Sequence, residues 1–172
     1  KYMFYKSVVI VCDAAMLLVK RYAKACLDKA AVAADEKRKA ELTKMGESLE
    51  WLSENPVRDF WEAVQGIMMY QILINIETRI PSPSLGRFDQ WTWPYLKKDL
   101  ADGKLTLDEA QEIVDAFFLK INSFYGGATQ YLVHMIGANT YHHTTIGGVY
   151  RDGGDATNPL SYMVLESIAR LK

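Results

Sequence analysis

The side chains best able to do chemistry are gathered in Pro81 to Tyr95, PSPSLGRFDQWTWPY. Ser82 and Ser84 offer hydroxyl donors, and Gly86 permits close approach of a ligand to the backbone. Arg87 supplies a planar fork that fits a carboxylate or a sulfonate. A plainer account of the same residues has Arg87 and Asp89 making structural hydrogen bonds while Trp91, Trp93 and Tyr95 pack the start of a helix.

The histidines His134, His142 and His143 form a second group. Neighbours on a strand point to opposite faces, so His142 and His143 cannot both line one site. No Cys or carboxylate stands at ligand spacing from them, and no metal site is expected. Asp152 to Asn158, DGGDATN, has the composition of a calcium loop without its register or terminal Glu, and reads as a tight turn leading into a helix cap. There is no phosphate-binding loop, no G-x-S-x-G and no Cys/His pair placed for nucleophilic catalysis.

The elements that must position these residues are mainly helices. Apolar positions Phe4, Val8, Val11, Ala15, Leu18, Val19 and Tyr22 recur at helical spacing in a first segment from Met3 to about Ala33. A charged second helix follows from Asp35. Asn55 and Pro56 carry the cap and first-turn signature of a third, whose stripe includes Val57, Phe60, Trp61, Val64, Ile67 and Met68. The run YQILINIE fits either the buried end of that helix or a doubly covered strand. A turn at Asp102-Gly103 and a capping box from Thr106 to Glu109 introduce a helix burying Ala110, Ile113, Val114, Phe117 and Phe118. SFYGGATQ reads as a loop, ANTYHHTTIGGVY as a strand and turn. Asn158-Pro159 opens the last helix, with Leu160, Met163, Val164, Ser167, Ile168 and Leu171 on one face.

Composition narrows the class. The chain has 172 residues, of which 49% are hydrophobic, and a net charge of -1 that gives no electrostatic reason to expect nucleic acid or anionic lipid. The apolar run from Ser7 to Val19 is broken by Asp13 and is too short to span a bilayer, so no membrane partner is expected. Cys12 and Cys26, fourteen residues apart on one helix, cannot pair with each other and read as reduced core thiols of a reducing compartment. A first residue other than Met and a last helix without a stop signal suggest a segment of a longer protein, incomplete at both ends.

Five blocks carry a resemblance: NPVRDFWEAVQ, SLGRFDQWTWPYLKKDL, LTLDEAQEIVDAFFLKIN, ANTYHHTTIGG and DATNPLSYMVLES. In order and spacing the chain resembles the glycyl radical enzymes related to pyruvate formate-lyase, over nearly its whole length. The resemblance implies an α/β, helix-rich fold, with residues 1–172 a single segment of a ten-stranded β/α barrel and only a few strands within it. It also implies radical chemistry in the parent: a glycyl radical takes hydrogen from a cysteine, and the resulting thiyl takes hydrogen from substrate. An S-adenosylmethionine-dependent activating enzyme with an iron-sulfur cluster installs the radical. Neither the thiyl Gly-Cys motif nor the glycyl-radical motif occurs in these residues, and Cys12 and Cys26 match neither. The segment alone is therefore expected to be inactive, with no catalytic residue and no bound cofactor of its own.

In the family, the residues just before G-R-F-D-Q line the substrate cavity, and diol dehydratases such as the glycerol enzyme place a His-Ser pair there. Pro81-Ser82 stands at those positions, which disfavours a diol substrate. Relatives that cleave C-C or C-S bonds in small anionic substrates, such as arylacetate decarboxylases and isethionate sulfite-lyase, are the closer match. The resemblance thus makes Ser82, Ser84, His142 and His143 substrate-binding candidates, with Arg87 and Asp89 structural near the site. It further implies an anaerobic, cytoplasmic homodimer, possible in a bacterial microcompartment. A dehydratase binding its hydroxyl by other residues and a non-catalytic helical interaction module descended from the family are the alternatives.

Overall fold

The computed structural model describes residues 1–78, 84–123 and 143–171. It divides into two units, Lys1–Val57 and Arg58–Lys172. Six helices stand among the described residues: α1 (Tyr2–Ala31), α2 (Glu36–Leu52), α3 (Phe60–Thr78), α4 (Phe88–Ala101), α5 (Leu107–Asn122) and α6 (Pro159–Arg170).

The first unit is an antiparallel pair. Asp35 caps α2 by accepting the Lys37 N–H at 3.0 Å. Val19, Ala23 and Ala30 of α1 are buried, as are Leu42 and Leu49 of α2. A Cβ at Gly46 would stand 2.7 Å from Leu27 Cδ2, so this glycine sets how closely α2 approaches α1. Lys20 pairs with Glu54 at the far end of the contact.

The expected stripe of α1 is only partly used. Phe4 is 67% exposed and Val11 64%. Length explains it: 30 residues of α1 rise about 45 Å while 17 of α2 rise about 26 Å, so the N-terminal half of α1 has no partner within the unit. Cys12 lies on that half and is exposed, contrary to its reading as a core thiol, whereas Cys26 is half-buried. By length and composition α1 is also long and apolar enough to cross a membrane. The apolar run bounded at Ser7 was too narrow at its N-terminal side, because the stretch reaches back to Tyr2 with Lys6 and Asp13 as its charges, and Lys20 and Arg21 close it after Val19.

The second unit is built around Phe88. Its ring stacks on Phe117 with centroids 5.0 Å apart and meets Phe118 edge-on at 5.9 Å. Leu96 from α4, Val114 from α5 and Leu160 and Val164 from α6 complete the centre, with Phe60 and Val64 from α3. Asp99 of α4 accepts the first N–H of α3, from Phe60, at 2.8 Å. Two reciprocal capping boxes start α5 and α6, at Thr106/Glu109 and Asn158/Ser161.

Two expectations change, and one open alternative is resolved. The third helix begins at Phe60, not at Pro56, because Asp59 holds the Glu62 and Ala63 N–H groups while Asn55 folds back onto the Trp51 carbonyl and closes α2. Val57 therefore lies outside its stripe. YQILINIE is helical, continuing α3 to Thr78. On α6 the buried face is Leu160, Met163, Val164 and Ser167, whereas Ile168 is exposed.

A few strands were expected. Among the described residues there is none, only two isolated bridges, Gly86 with Thr144 in parallel and Val149 with Asp155 antiparallel. Much of ANTYHHTTIGGVY and nearly all of SFYGGATQ lie outside the described residues.

Candidate functional site: a strand end held by G-R-F-D-Q

The parallel bridge is the centre of the candidate site. Leu85 N–H donates to the His143 carbonyl at 2.8 Å, and Thr145 N–H donates to the Gly86 carbonyl at 2.9 Å. Leu85 is buried in the helical core, while Ser84, His143 and Thr145 are exposed. One side of this short pairing is thus anchored and the other open.

Ser84 ties the two segments together. Its hydroxyl donates to the His143 carbonyl at 3.2 Å and accepts the Gly86 N–H at 3.0 Å. With its proton directed at His143, Ser84 Oγ meets a ligand best as an acceptor. Behind it, buried Gln71 of α3 reaches the Ser84 carbonyl at 3.4 Å, and its own amide oxygen has no partner among the described residues.

The residues after Gly86 converge on one residue, Gly147. Arg87 Nη2 donates to the Gly147 carbonyl at 2.9 Å, and Gln90 Nε2 donates to the same oxygen at 2.7 Å. From the other side Asp89 Oδ2 accepts the Gly147 N–H at 2.7 Å. Asp89 is fully buried, and the Ser161 hydroxyl at 2.5 Å is its second donor. A buried carboxylate needs such donors to offset its lost hydration.

Backbone geometry makes room for this arrangement. Gly86 has φ 62°, and a Cβ there would lie 2.6 Å from Trp91 Cη2. Gly147 also has φ 62°, and a Cβ at Gly148 would press on Arg87 Nη2 at 3.2 Å. Glycine is the residue that takes this left-handed region without cost to a side chain. Of the aromatics that follow, Trp93 and Tyr95 pack on the core, while Trp91 is exposed. In the turn leading to α6, the Thr157 backbone N–H, with its hydroxyl second, holds the Asp155 carboxyl below its usual range.

The structure brings Ser84 and His143 together and sets Arg87 on the carbonyl and Asp89 on the N–H of Gly147. Pro81, Ser82, His134 and His142 lie outside the described residues. Among the described residues no group of three or more His, Cys, Asp or Glu could hold a metal ion. A groove of about 540 Å³ between α5 and α6, lined by Leu107, Asp108, Asp155, Tyr162 and Arg170 among others, is separate from the strand end. Gln71, Gln90 and Ser161 were not singled out from the sequence. The G-R-F-D-Q and I-G-G motifs signalled the segments involved but not that one grips the other.

The family model described as pyruvate formate lyase-like matches residues 1–172. The chain belongs to this family of glycyl radical enzymes. It is 40% identical over 170 residues to the isethionate sulfite-lyase of Nitratidesulfovibrio vulgaris, covering 95% of this chain and 20% of that protein. The glycerol-bound B12-independent glycerol dehydratase from Clostridium butyricum superimposes with a TM-score of 0.88 at 34% identity, covering 98% of this chain and 21% of that one. A glycyl radical enzyme from Archaeoglobus fulgidus gives a TM-score of 0.83 at 32% identity, over 92% and 20%. The chain thus spans about one fifth of the length of the relatives it matches.

Proposed function

We propose that this chain is part of a glycyl radical lyase that cleaves a C-C or C-S bond in a small anionic substrate. Its β/α barrel is the ten-stranded one of the family, and the Gly86–Thr144 pairing is the end of two neighbouring barrel strands. The observation that carries the reading is the 40% identity over 170 residues to an isethionate sulfite-lyase. Proline at position 81, where the diol enzymes keep histidine, supports it.

In this reading Ser82, Ser84 and one of His142 and His143 contact the substrate, and Arg87 and Asp89 are structural. Arg87 has its Nη2 on the carbonyls of Gly147 and Val149, which favours a backbone role over an anion clamp. The glycyl radical of the parent, installed by its S-adenosylmethionine-dependent activating enzyme, supplies the hydrogen abstraction. The described residues supply a fixed wall, one hydroxyl acceptor at Ser84 and the exposed His143. The exposed apolar half of α1 is read as surface that other parts of the parent cover, since this helix falls within the 98% of the chain shared with the dehydratase. We assign the parent to the cytoplasm of an anaerobe, as a homodimer.

The test is an anaerobic assay of the activated parent against isethionate, arylacetates, hydroxyproline, choline and diols. Release of sulfite or carbon dioxide from an anionic substrate is expected. Turnover of glycerol or propane-1,2-diol as the preferred substrate would overturn the reading.

A further inference from the structure

Three side chains, Arg87, Gln90 and Asp89, hold Gly147, and Asp89 is itself held by Ser161 of α6. Ser161 stands at the third position of α6, where its hydroxyl accepts the Asn158 N–H at 3.1 Å as half of a capping box. The same hydroxyl donates to Asp89 Oδ2 at 2.5 Å, 72 residues away in sequence. Ser161 is itself buried, so this is an interior contact.

Asp89 has few alternatives. Among the described residues Oδ2 carries both its donors, Gly147 N–H and Ser161 O–H, and Oδ1 has no partner. Loss of the Ser161 hydroxyl would leave one donor on a fully buried carboxylate, and such groups move or draw in water when a donor goes. The movable part is the backbone at Gly147, because Asp89 is fixed in the first turn of α4. Ile146 packs against the core directly before it, and Thr144 and Thr145 lie in the bridge to Gly86. A shift at Gly147 therefore passes to the pairing that carries Ser84 and His143.

We propose that Ser161 is a positioning residue: through Asp89 it fixes the Gly147 peptide and so the register of the strand end that presents Ser84 and His143. This rests on the reading of that strand end as substrate-facing. Arg87 and Gln90 act on the Gly147 carbonyl, in the following peptide, so among these side chains Asp89, with Ser161 behind it, is the one that orients the Ile146–Gly147 peptide on the strand-end side.

The experiment compares Ser161→Ala and Ser161→Thr in the full-length parent. Threonine keeps the hydroxyl. For Ser161→Ala the expected result is faster hydrogen exchange across residues 143–149. With it, KM should rise about threefold or more while kcat and radical content stay within about twofold, the pattern of lost binding geometry. Ser161→Thr should restore both readouts. Unchanged exchange in Ser161→Ala overturns the proposal whatever the parent cleaves. Faster exchange with an unchanged KM overturns it too, as does a parallel fall of kcat, radical content and melting temperature, which marks a purely structural role. If the wild-type parent turns over a diol in place of an anion, the lyase reading alone fails and KM is compared on the diol.

Discussion

Asp89 accepts the backbone N–H of Gly147 at 2.7 Å across 58 residues of sequence, from a carboxylate with no exposure to solvent. That bond joins the G-R-F-D-Q block to the I-G-G block. With Arg87 and Gln90 on the carbonyl of the same glycine, three side chains of one motif hold a single residue of the other.

Two left-handed glycines, Gly86 beside this contact and Gly103 in the turn after α4, should respond unequally to alanine. Gly103 has φ 67° with nothing within 4 Å of its would-be Cβ, so Gly103→Ala should cost only the backbone penalty of about 1 kcal/mol. Gly86→Ala adds a contact of 2.6 Å with Trp91, a side chain in the first turns of α4. Its melting temperature should fall further than that of Gly103→Ala. Equal shifts would mean that the Trp91 ring swings aside freely.

Phe88 sits at the centre of the aromatic cluster and is fully buried. Phe88→Ala should destabilise by about 3–5 kcal/mol, the range for emptying an aromatic site in a packed core. Phe88→Leu should cost less. Denaturation midpoints of the two variants check the order.

Burial pushes the Cys26 thiol up, and the nearby Lys29 and Arg38 charges only partly oppose it. A raised thiol value means that native structure favours the protonated form. The associated stability is present below the unfolded value and is lost as pH rises through the folded one. Alkylation of Cys26 in the native protein should show its midpoint at higher pH than in the unfolded chain. A midpoint at or below that of the unfolded chain would contradict the burial of this residue.

Much of the helical frame could be read from sequence because its signals are local. The Thr106/Glu109 capping box and the Asn158-Pro159 start occur where spacing placed them. Asn55-Pro56 misled for the same reason: a correct local signature lost to Asp59, which takes the α3 N–H groups after Asn55 has turned back to Trp51. YQILINIE could not be assigned by periodicity, because a run apolar on all sides carries none. The exposed half of α1 shows the reverse, a clear stripe whose partner is missing from its unit. The grip on Gly147 was the least legible feature. Its partners lie 57 to 72 residues apart, and no spacing rule links Gln90 or Ser161 to a loop glycine.

Electron paramagnetic resonance of the full-length parent tests the central claim most directly. After anaerobic treatment with its activating enzyme and S-adenosylmethionine, the account predicts an organic carbon-centred radical signal that oxygen destroys. A parent whose sequence lacks the Gly-Cys and glycyl-radical motifs, and which shows no such signal under conditions that activate a known relative, would contradict it.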